Sequence, residues 1–270
     1  MRSERKPSIR AVSIDLWGTL FLDRPRADER YRRERLTRMA EVLADRGINV
    51  SIPSLARGYD ESFRRLIRVW RDLQDVPVEH HVRFLLESVD PLLPTWLRPS
   101  DMAAVTWAYA SPALDAPPVI DPGAAVALAT LTARGIGICL VSNVLRTPGL
   151  VLRQIITDAG LSDFFAGMVF SDECGVRKPG TEIFRQALTI LGVTAQHAAH
   201  VGDDPRLDVG GARLSSLQAI QVGGSCPGND IPDVSIRGLS ELPAAVAWLE
   251  ARRSPERRPL AAILADHASG

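Results

Sequence analysis

Apolar residues recur along this chain at two different spacings, and the spacing changes twice. Ala11, Val12 and Ile14 form a short apolar run that stops at Asp15, the pattern of a buried strand. Beyond it the period becomes helical: Tyr31, Leu36, Met39, Val42 and Leu43, then Phe63, Leu66, Ile67 and Trp70, then Val82, Leu85, Leu86 and Val89. No strand-like run interrupts these, so residues 23–112 read as an all-helical insertion. From about residue 117 strand and helix patterns alternate. Strands are predicted at 136–141, 168–170, 199–201 and 219–222; helices are predicted at 122–133, after Pro148, and at 181–191, 207–214 and 242–251. Asp121 before Pro122 starts one such helix, and Gly135 follows its end.

Repeated βα units need right-handed crossovers and give a parallel sheet covered on both faces. The predicted fold is therefore α/β: a doubly wound parallel sheet, a Rossmann-like three-layer core. Residues 1–22 and 113–253 supply the core, 23–112 the helical insertion and 254–270 a C-terminal tail. No internal repeat is evident.

Composition narrows the function classes. The chain has 270 residues, 46% of them hydrophobic and 24% charged, as in an ordinary globular enzyme. Lys+Arg and Asp+Glu balance at 32 each, which gives no bulk attraction to nucleic acid or anionic lipid. A small molecule is the expected partner, with no nucleic acid, no membrane, and a monomer or homodimer as the expected state. Cys139, Cys174 and Cys226 are odd in number and far apart, so neither a disulfide framework nor a paired-cysteine metal site is predicted. The charged residues 1–10 lead into no signal-type apolar stretch, and no run approaches the ~20 residues that span a bilayer; a cytoplasmic location is expected. Lysine occurs only at Lys6 and Lys178, so chemistry that needs an amine has one candidate beyond the N-terminus.

Ligands of open parallel sheets bind at the carboxyl ends of strands. Polar residues stand at four such ends. Asp15 leaves the first strand ahead of Trp17-Gly18-Thr19. Ser142-Asn143 follows the strand through Val141, and Arg177-Lys178-Pro179-Gly180 precedes a helix. Gly202-Asp203-Asp204, with Asp208 beyond, follows His200-Val201. Each alone fits a turn or a helix cap. Adjacent carboxylates, however, repel one another unless a cation compensates them, and Mg²⁺ takes carboxylates and waters.

In this order and spacing, the four sites resemble the haloacid dehalogenase (HAD) superfamily of aspartyl-nucleophile hydrolases. The resemblance covers residues 9–22 and 117–250, and the insertion matches the helical cap of one branch. It implies that Asp15 is the nucleophile and that Ser142 and Lys178 are catalytic. Ser142, Asn143 and Lys178 would bind phosphoryl oxygens. Mg²⁺ would be held by Asp15, the Trp17 backbone carbonyl and Asp203, with Asp204 or Asp208 assisting. Residues 22–24 and 111–113 would be hinges. Among the insertion's arginines, Arg24, Arg26, Arg30, Arg32 and Arg33 either greet an anionic substrate or form a solvated face.

Trp17 departs from the pattern. Phosphatases of the superfamily typically carry there a second aspartate, which protonates the leaving group; indole cannot. General acid–base catalysis contributes about 10²–10⁴-fold, so its loss weakens but does not abolish the chemistry. His80 or His81 of the insertion could compensate. Three readings follow: a Mg²⁺-dependent phosphatase of a small phosphorylated metabolite with altered acid–base chemistry, a 2-haloacid dehalogenase-like hydrolase in which Asp15 attacks carbon, and a catalytically impaired protein that binds a phosphorylated ligand or partner. The dehalogenases carry an aromatic residue where Trp17 stands, whereas the acidic Asp203-Asp204 pair favours the phosphatase. Phosphonate cleavage is set aside, because it needs a cap lysine and the insertion has none.

Overall fold

The computed structural model describes residues 9–22, 24–223 and 231–252. Lys6, Cys226 and the expected tail at 254–270 lie outside them. In chain order, β1 (Ala11–Ile14) and β2 (Phe21–Leu22) precede helices α1 (Ala27–Ala44), α2 (Ile52–Arg71), α3 (Val78–Val89), α4 (Pro99–Ala110) and α5 (Pro112–Asp115). Then come β3 (Val119–Ile120), α6 (Ala124–Ala133), β4 (Gly137–Ser142), α7 (Gly149–Asp158), β5 (Gly167–Phe170), α8 (Ser171–Cys174) and α9 (Thr181–Leu191). The chain continues through β6 (Ala198–Gly202), α10 (Gly211–Leu214), β7 (Gln218–Val222), β8 (Val234–Ile236) and α11 (Leu242–Arg252).

Six strands form one sheet in the order β5-β4-β1-β6-β7-β8, every neighbouring pair parallel. The chain builds outward from β1 through β4 to β5, then returns to the other side of β1 and builds outward again through β6, β7 and β8. The order reverses between β1 and β6, and a crevice opens at the carboxyl ends of strands flanking such a reversal. Asp15 follows β1 and Asp203 follows β6, so both border that crevice.

Strand alternation assigns the two faces. Val12, Ile14, Ile138, Leu140, Ala199 and Val201 pack on one side with residues of α6, α7 and α11. Ala11, Cys139, Val141, Val169, Ala198 and Ala219 pack on the other with Ile183, Phe184 and Ala187 of α9. A third apolar cluster, including Leu36, Met39, Leu43, Leu55, Val82, Leu85, Val105 and Tyr109, is drawn wholly from the insertion. The helical spacing of the sequence foretells half of its buried members, among them Leu36, Met39, Leu43, Val82, Leu85 and Leu86. Trp107, on α4, is 51% exposed.

Three features differ from the sequence pattern. β2 and β3 pair antiparallel where the insertion leaves and rejoins the core, in segments of two residues, too short to show a period. β8 is only three residues long and has an exposed centre. The predicted helix 207–214 is split. Pro205–Gly210 form a wider turn, in which the Val209 N–H reaches the Asp204 carbonyl five residues back (3.3 Å), and α10 follows at Gly211. Wide turns of this kind recur at functional sites.

Insertion and core are pinned together beside α8. The buried Asp75 carboxylate, in the loop between α2 and α3, accepts from the Arg177 guanidinium, from Ser171 Oγ (2.6 Å) and from Trp70 Nε1 (2.9 Å). Two backbone bonds reinforce it: Asp75 N–H to the Gly175 carbonyl (2.9 Å) and Arg177 N–H to the Leu73 carbonyl (3.0 Å). His81 is buried close by, its ring nitrogens without hydrogen-bond partners among the described residues. Burial lowers its pKa to about 4, against the pull of Asp75 and with help from Arg146 and Arg177. The unfolded chain therefore takes up this proton first as pH falls, and the native state loses stability between about 6.5 and about 4. His81→Gln removes that proton uptake. Unfolding in denaturant is expected to show an acid-induced loss between pH 7 and pH 4 smaller in the variant by about 3 kcal/mol; equal losses in both proteins would contradict this account of His81.

Candidate active site

Lys178 stands at the centre of the crevice. Its ammonium group donates to Asp15 Oδ1 and to Asp208 Oδ1 (2.6 Å), with all three side chains buried. The placement of Lys178 is set by the strand end beside it. Asn143, immediately after β4, clasps the Lys178 backbone twice: its Oδ1 accepts from the Lys178 N–H (2.8 Å) and its Nδ2 donates to the Lys178 carbonyl (3.0 Å). Asn143, expected to bind phosphoryl oxygens, here holds the lysine backbone with its side chain. Ser142 is fully buried at the end of β4, its hydroxyl 3.4 Å from the Asn143 carbonyl.

Carboxylate oxygens of Asp15, Asp203 and Asp208 all lie within 4.8 Å of one another. Two glycines make this approach feasible. A Cβ on Gly18, whose φ is +75°, would fall 2.3 Å from Asp203 Oδ2, and one on Gly202 would fall 2.2 Å from the Asp208 carboxyl carbon. Of the two residues expected to assist Asp203, only Asp208 joins the cluster. Asp204 Oδ1 is engaged elsewhere, capping the wide turn by accepting from the N–H groups of Arg206 and Leu207 (2.8 Å each). Trp17 stands on the loop between β1 and β2, its ring edge-on to Phe21 at 5.7 Å.

His200, which the motif spacing does not point to, completes the cluster from behind. It lies opposite Ser13 in the β1–β6 register. Burial lowers its pKa, so the ring is neutral at pH 7. Nε2–H then donates to Asp208 Oδ1 (3.0 Å), and Nδ1 accepts from Ser13 Oγ (2.8 Å), the tautomer following from Asp208 being an acceptor. The signal in the sequence was faint: a polar pair, Ser13 and His200, each inside an otherwise apolar strand.

Three carboxylates lie together and two of them share one ammonium, and the electrostatics reflect it. Burial pushes Asp15 up to about 7 against the pull of Lys178, with Asp208 and Asp203 adding to the rise. Partial desolvation and Asp208 raise Asp203 to about 6. Burial would also raise Asp208, but Lys178 and His200 outweigh it and hold that group well below the usual carboxylate range. Burial opposes the Lys178 charge, yet Asp15 and Asp208 together raise its pKa. This donor set fits a hard divalent cation: oxygen ligands only, excess negative charge, and glycines that leave room for the acids to converge. Gly18→Ala is a direct probe of the fit. The new Cβ collides with Asp203 and forces an alanine to positive φ, so Mg²⁺ affinity measured by calorimetry is expected to fall at least about tenfold. Unchanged affinity would separate Asp203 from the cation site.

Neither insertion histidine lines the pocket that Trp17 borders. His80 is exposed against Phe84, and His81 is buried near Asp75. The pocket that Trp17 lines, about 600 Å³, is bounded by side chains such as Arg32, Arg35, Tyr59 and Arg146, and by no histidine. Arg32 alone of the five arginines singled out in the sequence borders it, paired with Asp60 (2.8 Å).

Several hydrolases are similar to this chain in sequence or fold. A phosphoserine phosphatase of Thermus thermophilus is 36% identical over 124 residues, 45% of this chain and 49% of that protein. A ribulose-1,5-bisphosphate 5-phosphatase of Halopiger xanaduensis is 28% identical over 210 residues, covering 78% of this chain and 83% of that one. The chain spans about half the length of the first relatives it matches, 49% and 52%. Among solved structures, a 2-haloacid dehalogenase from Pseudomonas syringae superposes with a TM-score of 0.63 at 20% identity, covering 88% of this chain and 98% of that one. A HAD phosphatase from Thermococcus onnurineus gives 0.56 at 22% identity over 92% of this chain and 100% of that one. At such identities the likeness concerns the fold. The haloacid dehalogenase-like hydrolase family model matches residues 9–215, a span that runs from β1 through α10 and holds every acidic residue of the cluster together with Lys178. With both sequence and fold agreeing over that span, the chain belongs to the haloacid dehalogenase-like hydrolases.

Proposed function

We propose that this protein is a Mg²⁺-dependent phosphatase of a small phosphorylated metabolite, working through an aspartyl-phosphate at Asp15, with the helices of 23–112 as a cap over a core of 1–22 and 113–253. The observation that carries the reading is the convergence of the Asp15, Asp203 and Asp208 carboxylates within 4.8 Å of one another, with Lys178 bonded to Asp15 and Asp208, at the reversal of strand order. Three carboxylates at one crevice repel an anionic substrate unless a cation is present, and they are superfluous for a neutral one.

Asp15, Asp203 and the Trp17 carbonyl would hold Mg²⁺, with Asp208 beside them; when bound, the cation supplies charge neutralisation between nucleophile and phosphate. The remaining steps belong to this chain's residues. Asp15 attacks phosphorus in line, its new O–P bond forming as the ester P–O bond breaks, and the leaving oxygen departs as an alkoxide that takes its proton from water. Lys178, freed from sharing its protons between two carboxylates, turns toward the phosphoryl oxygens, as do the Ser142 hydroxyl and the Asn143 N–H. His200 keeps Asp208 ionised and oriented behind the lysine. Water then cleaves the intermediate. Acid-quenched mass spectrometry during turnover of a phosphate ester tests this: a phosphoryl adduct on the Asp15 peptide is expected, and turnover without any such adduct would overturn the covalent route.

One observation favours a second reading. Trp17 offers no proton to a leaving group, and halide departure needs none, so attack of Asp15 on the carbon of a 2-haloacid is chemically consistent with that position.

A further inference from the structure

We propose that the pocket beside Trp17 receives a second anionic group, a carboxylate or a phosphate, on the leaving-group side of the ester, and that Arg35 and Arg146 bind it. The inference rests on the phosphatase reading and adds the class of substrate: a phosphorylated acid or a bisphosphate rather than a phosphorylated neutral alcohol.

Two guanidinium groups border this pocket without a carboxylate partner among the described residues. Arg35, on α1, is 2% exposed; it donates from Nε to the Tyr109 carbonyl (2.9 Å) and from Nη2 to Thr147 Oγ1 (2.7 Å). Arg146, on the loop after β4, comes from the opposite side. It donates to Ser62 Oγ (3.2 Å), Tyr109 OH (3.0 Å) and the Tyr59 carbonyl (3.0 Å), and its guanidinium lies over the Tyr59 ring at 3.9 Å. All these acceptors are neutral. Every other arginine that borders the pocket is ion-paired: Arg32 with Asp60 and Arg64 with Glu61.

Withdrawing a charge from water without a counter-charge is costly, and hydrogen bonds to neutral groups and an aromatic face recover only part of the cost. Arg35 is buried and Arg146 half-buried, and a pocket that carries two such charges on its walls is suited to an anion that arrives from outside. The pocket's own acids do not meet that need. Asp28, Glu29 and Asp60 are exposed, where solvent screens them, and Asp60 is already paired with Arg32. Each arginine also crosses the boundary between insertion and core, Arg35 reaching Thr147 and Arg146 reaching α2 and α4. A ligand anion held by both would tie the two parts together over the reacting phosphate. Trp17, two residues after Asp15, supplies part of the pocket's apolar wall and links it along the chain to the candidate nucleophile.

The test is equilibrium binding by calorimetry to the Asp15→Asn protein with Mg²⁺, using 3-phosphoglycerate, propane-1,3-diol bisphosphate and glycerol 3-phosphate. The first two place a carboxylate or a phosphate where the third has a neutral hydroxyl. At least one is expected to bind about tenfold or more tightly than glycerol 3-phosphate, the smallest contribution of a charge-assisted hydrogen bond. That ratio should fall to near one in Arg146→Gln and be largely kept in Arg146→Lys; Arg35→Gln serves as the second variant, with a thermal melt to show that each folds. The better of the two acids tells carboxylate from phosphate. Equal binding of all three esters, or a preference that survives both glutamine variants, would overturn the proposal. Binding does not depend on turnover, so absence of hydrolysis in the wild type would fall on the phosphatase reading alone.

Discussion

Asp15→Asn is expected to lower turnover by about 10⁴-fold or more while the protein remains folded. The amide matches the carboxylate in shape but is a poor nucleophile. Asp15 sits among two other carboxylates, and burial already pushes it up to about 7, so removing its charge relieves repulsion as well as costing the bond from Lys178. The lysine keeps Asp208 as its partner. Opposing effects of similar size should leave stability within about 1 kcal/mol of wild type. Initial rates with a phosphate ester, alongside a denaturant titration, check both halves. A variant that turns over near the wild-type rate would refute the covalent mechanism, and one that unfolds would show that Asp15 is structural.

Lys178→Met should behave differently, damaging both stability and activity. The ammonium is buried between Asp15 and Asp208, and no other cation is hydrogen-bonded to either carboxylate among the described residues. Breaking such a buried pair by removing one member typically costs about 3–5 kcal/mol, because the charge left behind is uncompensated. Protonation of Asp15 offers partial relief, and Mg²⁺ offers more. The melting temperature of the variant is therefore expected to drop well below that of wild type without metal and to recover partly when Mg²⁺ is added. Turnover should fall by about 10²–10³-fold, the usual effect of losing one donor to a developing charge. A variant as stable as wild type in EDTA would mean that the lysine is not what balances the acidic cluster.

Much of the arrangement was legible in the sequence because it depends on local rules. Residues 181–191 carry a helical period between Gly180 and Gly192, and α9 occupies those positions. Asp15, Ser142, Asp203 and Asp208 stand at or just beyond strand ends, where a parallel sheet must place its ligands, and Lys178 was conspicuous as the one lysine beyond the N-terminus. What escaped depends on contacts between distant segments. Ser13 and His200 become neighbours only through strand register. Asp204 and Asp208 look alike in sequence, and only the wide turn at Pro205–Gly210 directs one to cap backbone N–H groups and the other to Lys178. Arg35 and Arg146 are two among many arginines until packing shows which of them lack a carboxylate. The pin of Asp75 on Arg177 joins residues about a hundred positions apart, and no spacing rule points to it.

The central claim is that the acidic cluster serves a cation and that the cation serves a phosphate ester. One measurement bears on it most directly: product release by the purified protein from a panel of phosphate esters and from L-2-chloropropionate, each with Mg²⁺ and with EDTA. The expected result is phosphate release that requires Mg²⁺ and is abolished by EDTA, with no chloride released. Chloride release indifferent to the metal, with no phosphate from any ester, would contradict the account and assign Asp15 to carbon instead.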